Sequence, residues 1–199
     1  MELHEFLRSR RSIRRFKPEP IPRSVLLRII TTATFAPSAH DRQPWRFAVL
    51  SEQPAKIHLA NAMASEYRSD LLRDNIPETE VNSRLVKSRA RFTSSPAIIL
   101  LCMDTSEMDV YPDARRAEAE KIMAVQSAAN AGMQLLLAVH AEGLGGVWTC
   151  GPLFIPNIVR DAFSLPNSWE PQGMFLIGYP AETPRVSERK PIGEILRFL

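Results

Sequence analysis

The longest element that the sequence predicts is a helix from Asp113 to about Glu142. Side chains three and four residues apart share one face of a helix, and Gly143 is of the residue type that most often ends one. Because small side chains let another backbone approach closely, we expect this helix to be central and one face of it to contact another backbone. That face carries Ala124, Ala128, Ala131, Gly132, Leu135 and Val139, and the stripe opposite carries Gln126, Asn130 and Gln134.

Four short runs rich in apolar residues predict strands, at positions 45–50, 97–103, 146–149 and 174–179. Helices are predicted before, between and after them, including a charged pair over positions 56–91 that is broken near Pro77. Because helices and strands do not alternate one for one, the fold class is predicted to be α+β, not a doubly wound parallel sheet. No predicted strand is followed by the Gly-x-Gly-x-x-Gly turn of a Rossmann dinucleotide site.

Length and composition fit one globular domain over positions 1–199, with an apolar fraction of 45%. The N-terminal basic stretch is followed by three prolines, unlike a signal peptide, and no apolar stretch approaches the roughly 20 residues that span a bilayer. We therefore expect a cytoplasmic protein with no membrane partner. Cys102 and Cys150 follow apolar runs without paired ligand spacing, so both are predicted to be buried thiols, with no metal site.

The most unbalanced charge lies in the segment RRSIRRF at positions 10–16. Between Arg8 and Lys17 there are six basic side chains and no acidic one. An arginine fork can hold a phosphate with two hydrogen bonds, and the hydroxyl of Ser12 can add a third. The segment is therefore either an anion-binding site or a solvated basic arm of the kind that contacts nucleic acid. Arg185, Arg189 and Lys190 form a second cationic group in the tail.

A polar loop bracketed by prolines, APSAHDRQPW at positions 36–45, joins a predicted helix to a predicted strand. It places His40, Asp41 and Gln43 in a rigid connection, which is a usual setting for binding groups. An acid–base pair formed by His40 and Asp41 is one interpretation. A plain connection in which the adjacent side chains point apart is the other.

Three glycines follow the long helix in the segment GLGGVWT at positions 143–149. Bare backbone can lie flat against a planar group and offer amide donors to it. A helix cap and a tight turn are the alternative interpretation, but one glycine would satisfy both.

In their order and spacing these segments resemble the nitroreductase family, over nearly the whole chain. Further segments resemble the C-terminal reductase domain of the bifunctional deazaflavin-coenzyme glutamate ligases. These are Tyr111-Pro112-Asp113, Arg115-Arg116, Leu165-Pro166, Trp169-Glu170-Pro171 and Ile177-Gly178-Tyr179-Pro180. The resemblance implies a nitroreductase-like fold, bound FMN and a homodimer whose long central helix packs at the subunit interface.

The resemblance also assigns roles to individual residues. Arg10 and Ser12 would hold the FMN phosphate together with Arg189, Arg11 would assist, and Arg14 would reach the pyrimidine edge of the flavin. The partner subunit would supply Pro37, Ser38 and Gln43, while Gly145, Gly146 and Trp148 would line the other side. His40 and Asp41 depart from the common family pattern and are expected to face the substrate. No side chain is expected to be catalytic, because the flavin carries the redox chemistry.

The function that these roles predict is a ping-pong oxidoreductase. A reduced nicotinamide or reduced deazaflavin donor would reduce FMN, and an electron-poor small molecule would accept the electrons in a pocket shaped by the charged segment 67–92. One alternative is an FMN-dependent reductase of a deazaflavin coenzyme or its dehydro precursor. Another is a non-catalytic polyanion-binding module, which is disfavoured because the basic segment lacks interleaved aromatic residues, so no nucleic-acid partner is expected.

Overall fold

The computed structural model describes residues 2–184 and 186–199, so Arg185 of the predicted tail cluster lies outside the described residues. Helices and strands alternate irregularly along the chain. Their bounds are α1 Leu3–Ser9, α2 Arg23–Ala33, β1 Trp45–Leu50, α3 Gln53–Arg73, α4 Glu78–Thr93, β2 Ala97–Asp104, α5 Ala114–Ala141, β3 Gly145–Thr149, α6 Pro156–Ala162, β4 Trp169–Gly178 and α7 Ile192–Ile195. Short 3₁₀ turns occupy Ala39–Asp41, Thr105–Glu107 and Gly151–Phe154.

The four strands form one antiparallel sheet in the order β1-β2-β4-β3, which confirms the predicted α+β class. Strand β4 begins five residues earlier than the sequence predicts. Its first residues contain Pro171 and Gly173, which are unfavourable in a strand interior. They nevertheless pair with the end of β2, across a register shift between Leu101 and Cys102.

Strand β2 is apolar because both of its faces are covered. Side chains alternate between the two faces of a strand. Ile99 and Leu101 join the core on the side of α2 and α5, whereas Ile98 and Leu100 join the core on the side of α3, α4 and α6. The sheet is therefore the middle layer of three.

The charged pair of helices predicted around Pro77 is present as α3 and α4. Leu59, Met63 and Phe92 anchor this pair on the sheet. Lys56 is also buried, and its ammonium donates to the Ser95 carbonyl at 2.7 Å, where α4 leads into β2. The pair is thus a fixed outer layer over one face of the sheet.

Helix α5 covers the opposite face. Its small-residue face contacts the backbone of the same chain: Ala128, Ala131 and Leu135 belong to the core formed with α2 and the sheet. The side of α5 that faces outward instead carries Ile122, Val125 and Met133, each more than a third exposed.

The hydropathy of α5 differs from the expectation that no apolar stretch is long enough to span a bilayer. An 18-residue window of this helix has a mean hydropathy of 1.4, so by length and composition alone the helix could cross a membrane. Half of that window is buried inside the fold, as in the core helix of a soluble protein. No continuous apolar stretch of that length was visible in the sequence, because Gln126, Asn130 and Gln134 interrupt the apolar residues.

The two cysteines differ, and the prediction that both are buried is wrong for Cys150. Cys102 lies inside β2, where burial raises the pKa of its thiol to about 12. Cys150 is exposed, because β3 has ended at Thr149 and the chain turns outward into the next 3₁₀ turn.

We therefore expect one reactive thiol in the native protein. At pH 8 a disulfide reagent such as DTNB should modify Cys150 rapidly, and Cys102 only after unfolding in guanidinium, because the thiolate is the nucleophile. The absorbance of the thiolate released from the reagent gives the number of cysteines that have reacted. Cys150→Ser should leave no fast thiol, and a fast reaction in that variant would contradict the burial of Cys102.

Candidate functional site

The basic segment is held against the sheet and is not a free arm. Ser12 forms a parallel bridge with Gly146, and the amide of Ile13 donates to the Gly146 carbonyl at 3.1 Å. Further along, the amide of Lys17 donates to the Tyr179 carbonyl at 2.9 Å. The segment thus runs as an additional short edge along β3 and the end of β4.

The contact between Ile13 and Gly145 explains one of the three glycines that follow the long helix. Ile13 is 4% exposed, and a Cβ built on Gly145 would lie 2.7 Å from the Cβ of Ile13. Any larger residue at position 145 would push the basic segment away from β3. The space that Gly145 leaves open is therefore filled by Ile13, whereas the predicted flavin contacts of Gly145 and Gly146 stay a prediction.

The side chains of this extended segment point alternately toward the core and toward solvent. Ile13 points into the core, while Ser12 and Arg14 are exposed. Residues two apart in an extended chain face the same way, so the predicted flavin contacts Arg10, Ser12 and Arg14 share one side. The amide of Arg14 donates to the Glu182 carboxylate at 2.9 Å, which fixes the backbone there.

Beside the segment lies a cavity of about 210 Å³, which we call the arginine cavity. Arg10, Arg11 and His140 line it together with Gly145 and Gly146. Burial, then the charges of Arg11 and Arg189, lowers the pKa of Arg10. The fold thus brings the predicted tail cation close to the predicted phosphate ligands.

Arg11 is held inward from this group. Its guanidinium donates to the carbonyl of Arg8 and, at 2.8 Å, to that of Arg10, and its Nε is buried with no partner among the described residues. A buried donor without an acceptor is costly. An anion in the cavity would meet the positive charges of Arg10 and Arg11, which both line it.

His140 belongs to the cavity although the sequence analysis did not single it out. Its ring stacks on Phe6 with centroids 4.9 Å apart, and its Nε2 is 2.8 Å from the hydroxyl of Ser9. Burial, followed by the charges of Arg10 and Arg11, lowers the pKa of this imidazole. Its place in the last turn of the helix that precedes GLGG was the available signal.

The loop before β1 contains three non-glycine residues in the left-handed region, His40 and Asp41 at φ 53° and Gln43 at φ 49°. Such conformations cost roughly 1–3 kcal/mol each and persist where the surroundings enforce them. Here Ser38 Oγ accepts from the Gln43 amide at 3.0 Å, and the Gln43 side chain donates to Asp41 at 3.0 Å. No hydrogen bond joins His40 to Asp41 among the described residues, so no acid–base pair is assembled within the chain.

Helix α5 anchors this strained loop. Ser127 Oγ accepts from the Ala39 amide at 3.1 Å, and the Asn130 amide donates to the Pro37 carbonyl at 3.2 Å. On the same helix, Leu136 of the arginine cavity lies six residues beyond Asn130, and His140 lies 13 residues beyond Ser127. None of Pro37, Ser38, His40, Asp41 and Gln43 lines the arginine cavity of its own chain.

Trp148 fills a slot in the core instead of standing free beside the cavity. Its ring lies over Gly132 and Gly173, where a Cβ would collide with it, and its centroid is 4.9 Å from that of Phe175. The indole N–H is buried without a partner among the described residues. The side chain thus locks β3 to α5 and β4, and only its partly exposed edge remains for a ligand.

Comparison with known proteins agrees with this geometry. The model of the nitroreductase family matches residues 7–179. The chain belongs to the nitroreductase family. Bacillus subtilis YfhC, named as an NAD(P)H nitroreductase, is 31% identical over 190 residues, with 96% of this chain and 90% of that protein covered. A Methanothermobacter thermautotrophicus protein named as an NADH dehydrogenase/NAD(P)H nitroreductase is 30% identical, with 92% and 80% covered.

Solved nitroreductase-like structures share the fold. A family member from Bacillus cereus aligns with a TM-score of 0.79 at 23% identity, covering 100% of this chain and 96% of that one. A nitroreductase from Desulfovibrio desulfuricans in complex with FMN aligns with a TM-score of 0.75 at 24% identity, covering 98% and 95%. The nitroreductase fold predicted from the sequence is confirmed.

Adding one methyl group at Gly145 should loosen the basic segment. We expect Gly145→Ala to lower the free energy of unfolding by about 1–3 kcal/mol, because Ile13 must move. Chemical denaturation measures this. Gly193→Ala is the matched control, since a Cβ there meets nothing within 4 Å. Equal effects of the two substitutions would contradict the contact.

His140 should make stability depend on pH near neutrality. Its unfolded pKa is about 6.5 and its folded pKa is lower, so the unfolded chain binds the proton first as the pH falls. Stability should be full above about pH 6.5 and should decrease below it. Denaturation midpoints between pH 7.5 and 5.5 test this, and His140→Gln should flatten the dependence. An unchanged slope in the variant would assign the effect to other groups.

Proposed function

We propose that this nitroreductase-family protein is an FMN-dependent oxidoreductase that takes electrons from a reduced nicotinamide and passes them to a small electron-poor acceptor. The family is FMN-dependent, and relatives carry the name NAD(P)H nitroreductase. The observation that carries the proposal is the cavity beside β3 that Arg10 and Arg11 line, with Arg189 close enough for its charge to lower the pKa of Arg10.

The residues present suit the phosphate end of FMN. The arginine cavity of about 210 Å³ has room for a phosphate and part of a ribityl chain but not for the ring system, which would extend outside it. Arg10 lines this cavity and would bind the phosphate together with Arg189, and Ser12, which is exposed and lies outside the cavity lining, would contact the phosphate from the outer side of the segment. Arg14, on the same side of the segment, would bind the pyrimidine edge, where a cation stabilises the negative charge of the reduced ring.

When bound, FMN would supply the hydride and electron transfer of the reaction. The task of the chain is to hold and orient it and to shape the pocket. Ping-pong kinetics follow from a single site at which donor and acceptor bind in turn.

We further propose a homodimer, in which the strained loop of one subunit completes the FMN site of the other. Pro37, Ser38 and Gln43 do not line the arginine cavity of their own chain. Two exposed apolar regions would be covered in such a dimer, the outer side of α5 and the C-terminal tail. The first carries Ile122, Val125 and Met133, and the second carries Val186, Ile192, Ile195 and Phe198.

The deazaflavin alternative rests on residues that also have local structural roles. Asp113 caps α5 by accepting from the Arg116 amide at 3.0 Å, and the Arg116 guanidinium lies 4.9 Å from the centre of the Tyr111 ring. Trp169 and Pro171 belong to β4. Titration with a deazaflavin coenzyme decides this candidate, and the absence of binding would exclude it.

The polyanion-binding alternative loses its main support. It requires a free basic arm, whereas Ser12, Ile13 and Lys17 pair with the backbone of β3 and of the segment after β4.

The first test is the absorption spectrum of the purified protein, followed by rapid mixing with NADH and NADPH. We expect a flavin spectrum that bleaches on mixing and returns when a nitroaromatic acceptor is added. A protein that is colourless and cannot be reconstituted with FMN would contradict the proposal.

Removing one phosphate ligand should weaken FMN binding without unfolding the chain. Charge-assisted hydrogen bonds contribute about 1.5–3 kcal/mol, so Arg10→Gln and Arg189→Gln should each raise the Kd for FMN about 10- to 100-fold. Flavin fluorescence titration of the apoprotein measures the Kd. Arg23→Gln, at the exposed start of α2, is the control and should change it less than twofold. An unchanged Kd in both site variants would contradict the placement of the phosphate in the arginine cavity.

A further inference from the structure

A second cavity, of about 610 Å³, lies between α3 and α4 above the end of β3. We call it the interhelical cavity. It shares no lining residue with the arginine cavity. Its volume is within the range of about 300–1,000 Å³ typical of small-molecule sites.

The floor of the interhelical cavity is apolar. Met63 and Leu71 from α3, Phe92 from α4 and Met174 from β4 are buried side chains that line it. At its margin stands Phe154, which is 81% exposed although it is a large aromatic residue. A ligand with an apolar body would cover this ring.

The wall formed by α4 is cationic. Arg84, Lys87, Ser88 and Arg91 line the cavity at spacings of three and four residues, and so they share one face of the helix. Counting all lining residues, five are basic and two are acidic. The basic residues are Arg73, Arg84, Lys87, Arg89 and Arg91, and the acidic residues are Asp70 and Asp74.

Most of these charges are already partnered. Arg73 pairs with Asp70, Arg84 pairs with Glu80, and Arg89 donates to Asn61 at 2.6 Å. Lys87 and Arg91 form no ion pair and no side-chain hydrogen bond within the described part of the chain. They are the two cations that a ligand could use without breaking an existing contact.

The register of the two helices places these cations over the apolar floor. Arg89 contacts Asn61, and Arg68 contacts Asn82, so α3 and α4 run antiparallel with residue numbers summing to 150. Lys87 thereby lies across from Met63. The unpaired acid Asp74 lies in the connection between α3 and α4. Arg91 lies at the other end of α4, 13 residues or about 20 Å beyond its first residue Glu78.

We propose that the interhelical cavity binds an amphipathic anion, a small molecule with an aromatic or aliphatic body and one acidic group. The body lies on Met63, Phe92 and Phe154, and the acidic group meets Lys87 and Arg91. The segment 67–92, which was predicted to shape the acceptor pocket, supplies much of the lining of this cavity. The inference does not rest on the proposed reductase function, because this binding needs neither FMN nor an electron donor.

The test compares two probes that differ in one charged group. The anion 8-anilinonaphthalene-1-sulfonate and the neutral N-phenyl-1-naphthylamine share their aromatic body. Isothermal titration calorimetry on the purified protein, with whatever flavin it carries, avoids interference from flavin fluorescence. We expect one site per chain and an affinity for the anion about tenfold or more above that for the neutral probe.

Variants locate the site. Lys87→Ala/Arg91→Ala should lower the affinity for the anionic probe about tenfold and leave the affinity for the neutral probe nearly unchanged. Arg23→Ala/Arg115→Ala removes two exposed cations outside the cavity and is the matched control, with an expected change below twofold. Ala64→Trp should fill the cavity and abolish binding of both probes, and circular dichroism checks that this variant is folded.

Three outcomes would overturn the inference. They are equal affinities for the two probes, equal effects of the two double variants on the anion, and undiminished binding in folded Ala64→Trp. Because only probe binding is measured, loss of flavin or of reductase activity would leave each of these outcomes interpretable.

Discussion

The candidate site depends on one packing contact, the seating of Ile13 in the space beside Gly145. A chain segment with six basic residues would be expected to repel itself and remain in solvent. Burial of a single isoleucine, together with the bridge from Ser12 to Gly146, holds it along β3. Arg10 and Ser12, two of the three residues assigned to the phosphate, take their positions from that attachment. The glycine is required because the Cβ of any other residue would occupy the same space as Ile13.

Helix α5 connects the parts of the site that are far apart in the chain. Its inner face fills the core. Its polar residues Ser127 and Asn130 bind Ala39 and Pro37 in the loop before β1. Gln134 donates to the Thr32 carbonyl in α2. Its last turn supplies His140 to the arginine cavity. The same helix therefore supports a strained loop along its middle and lines the arginine cavity with its last turns. A second subunit is what would bring a strained loop and an arginine cavity together.

Much of the fold could be predicted from the sequence because its signals are local. The apolar run of β2, the proline between α3 and α4 and the glycine after α5 each act on their immediate neighbours. The first residues of β4 were missed, because Pro171 and Gly173 indicate a turn and only pairing with β2 makes them a strand. The small-residue face of α5 was predicted correctly as a close-contact surface, but the neighbours that it contacts, α2 and the sheet, could not be named. Periodicity shows that a face is buried without showing what buries it.

The residues of the site were easier to identify than their arrangement. Arg10, Ser12 and Arg189 could be selected from residue type and order, and the fold brings Arg10 and Arg189 into electrostatic contact. The positive φ angles of His40, Asp41 and Gln43 had no local signal, since the residues that enforce them lie on α5. His140 was overlooked because a single histidine on a helix carries little information until its surroundings are known. Tertiary contacts between distant segments account for each of these gaps.

The most direct test of the account is a crystal structure of the protein with FMN bound. We predict that the phosphate lies in the arginine cavity, within about 3.2 Å of the Arg10 guanidinium. The contact between Ile13 and Gly145 should be unchanged. A phosphate bound elsewhere, for example at Lys87 and Arg91 in the interhelical cavity, would contradict the central claim.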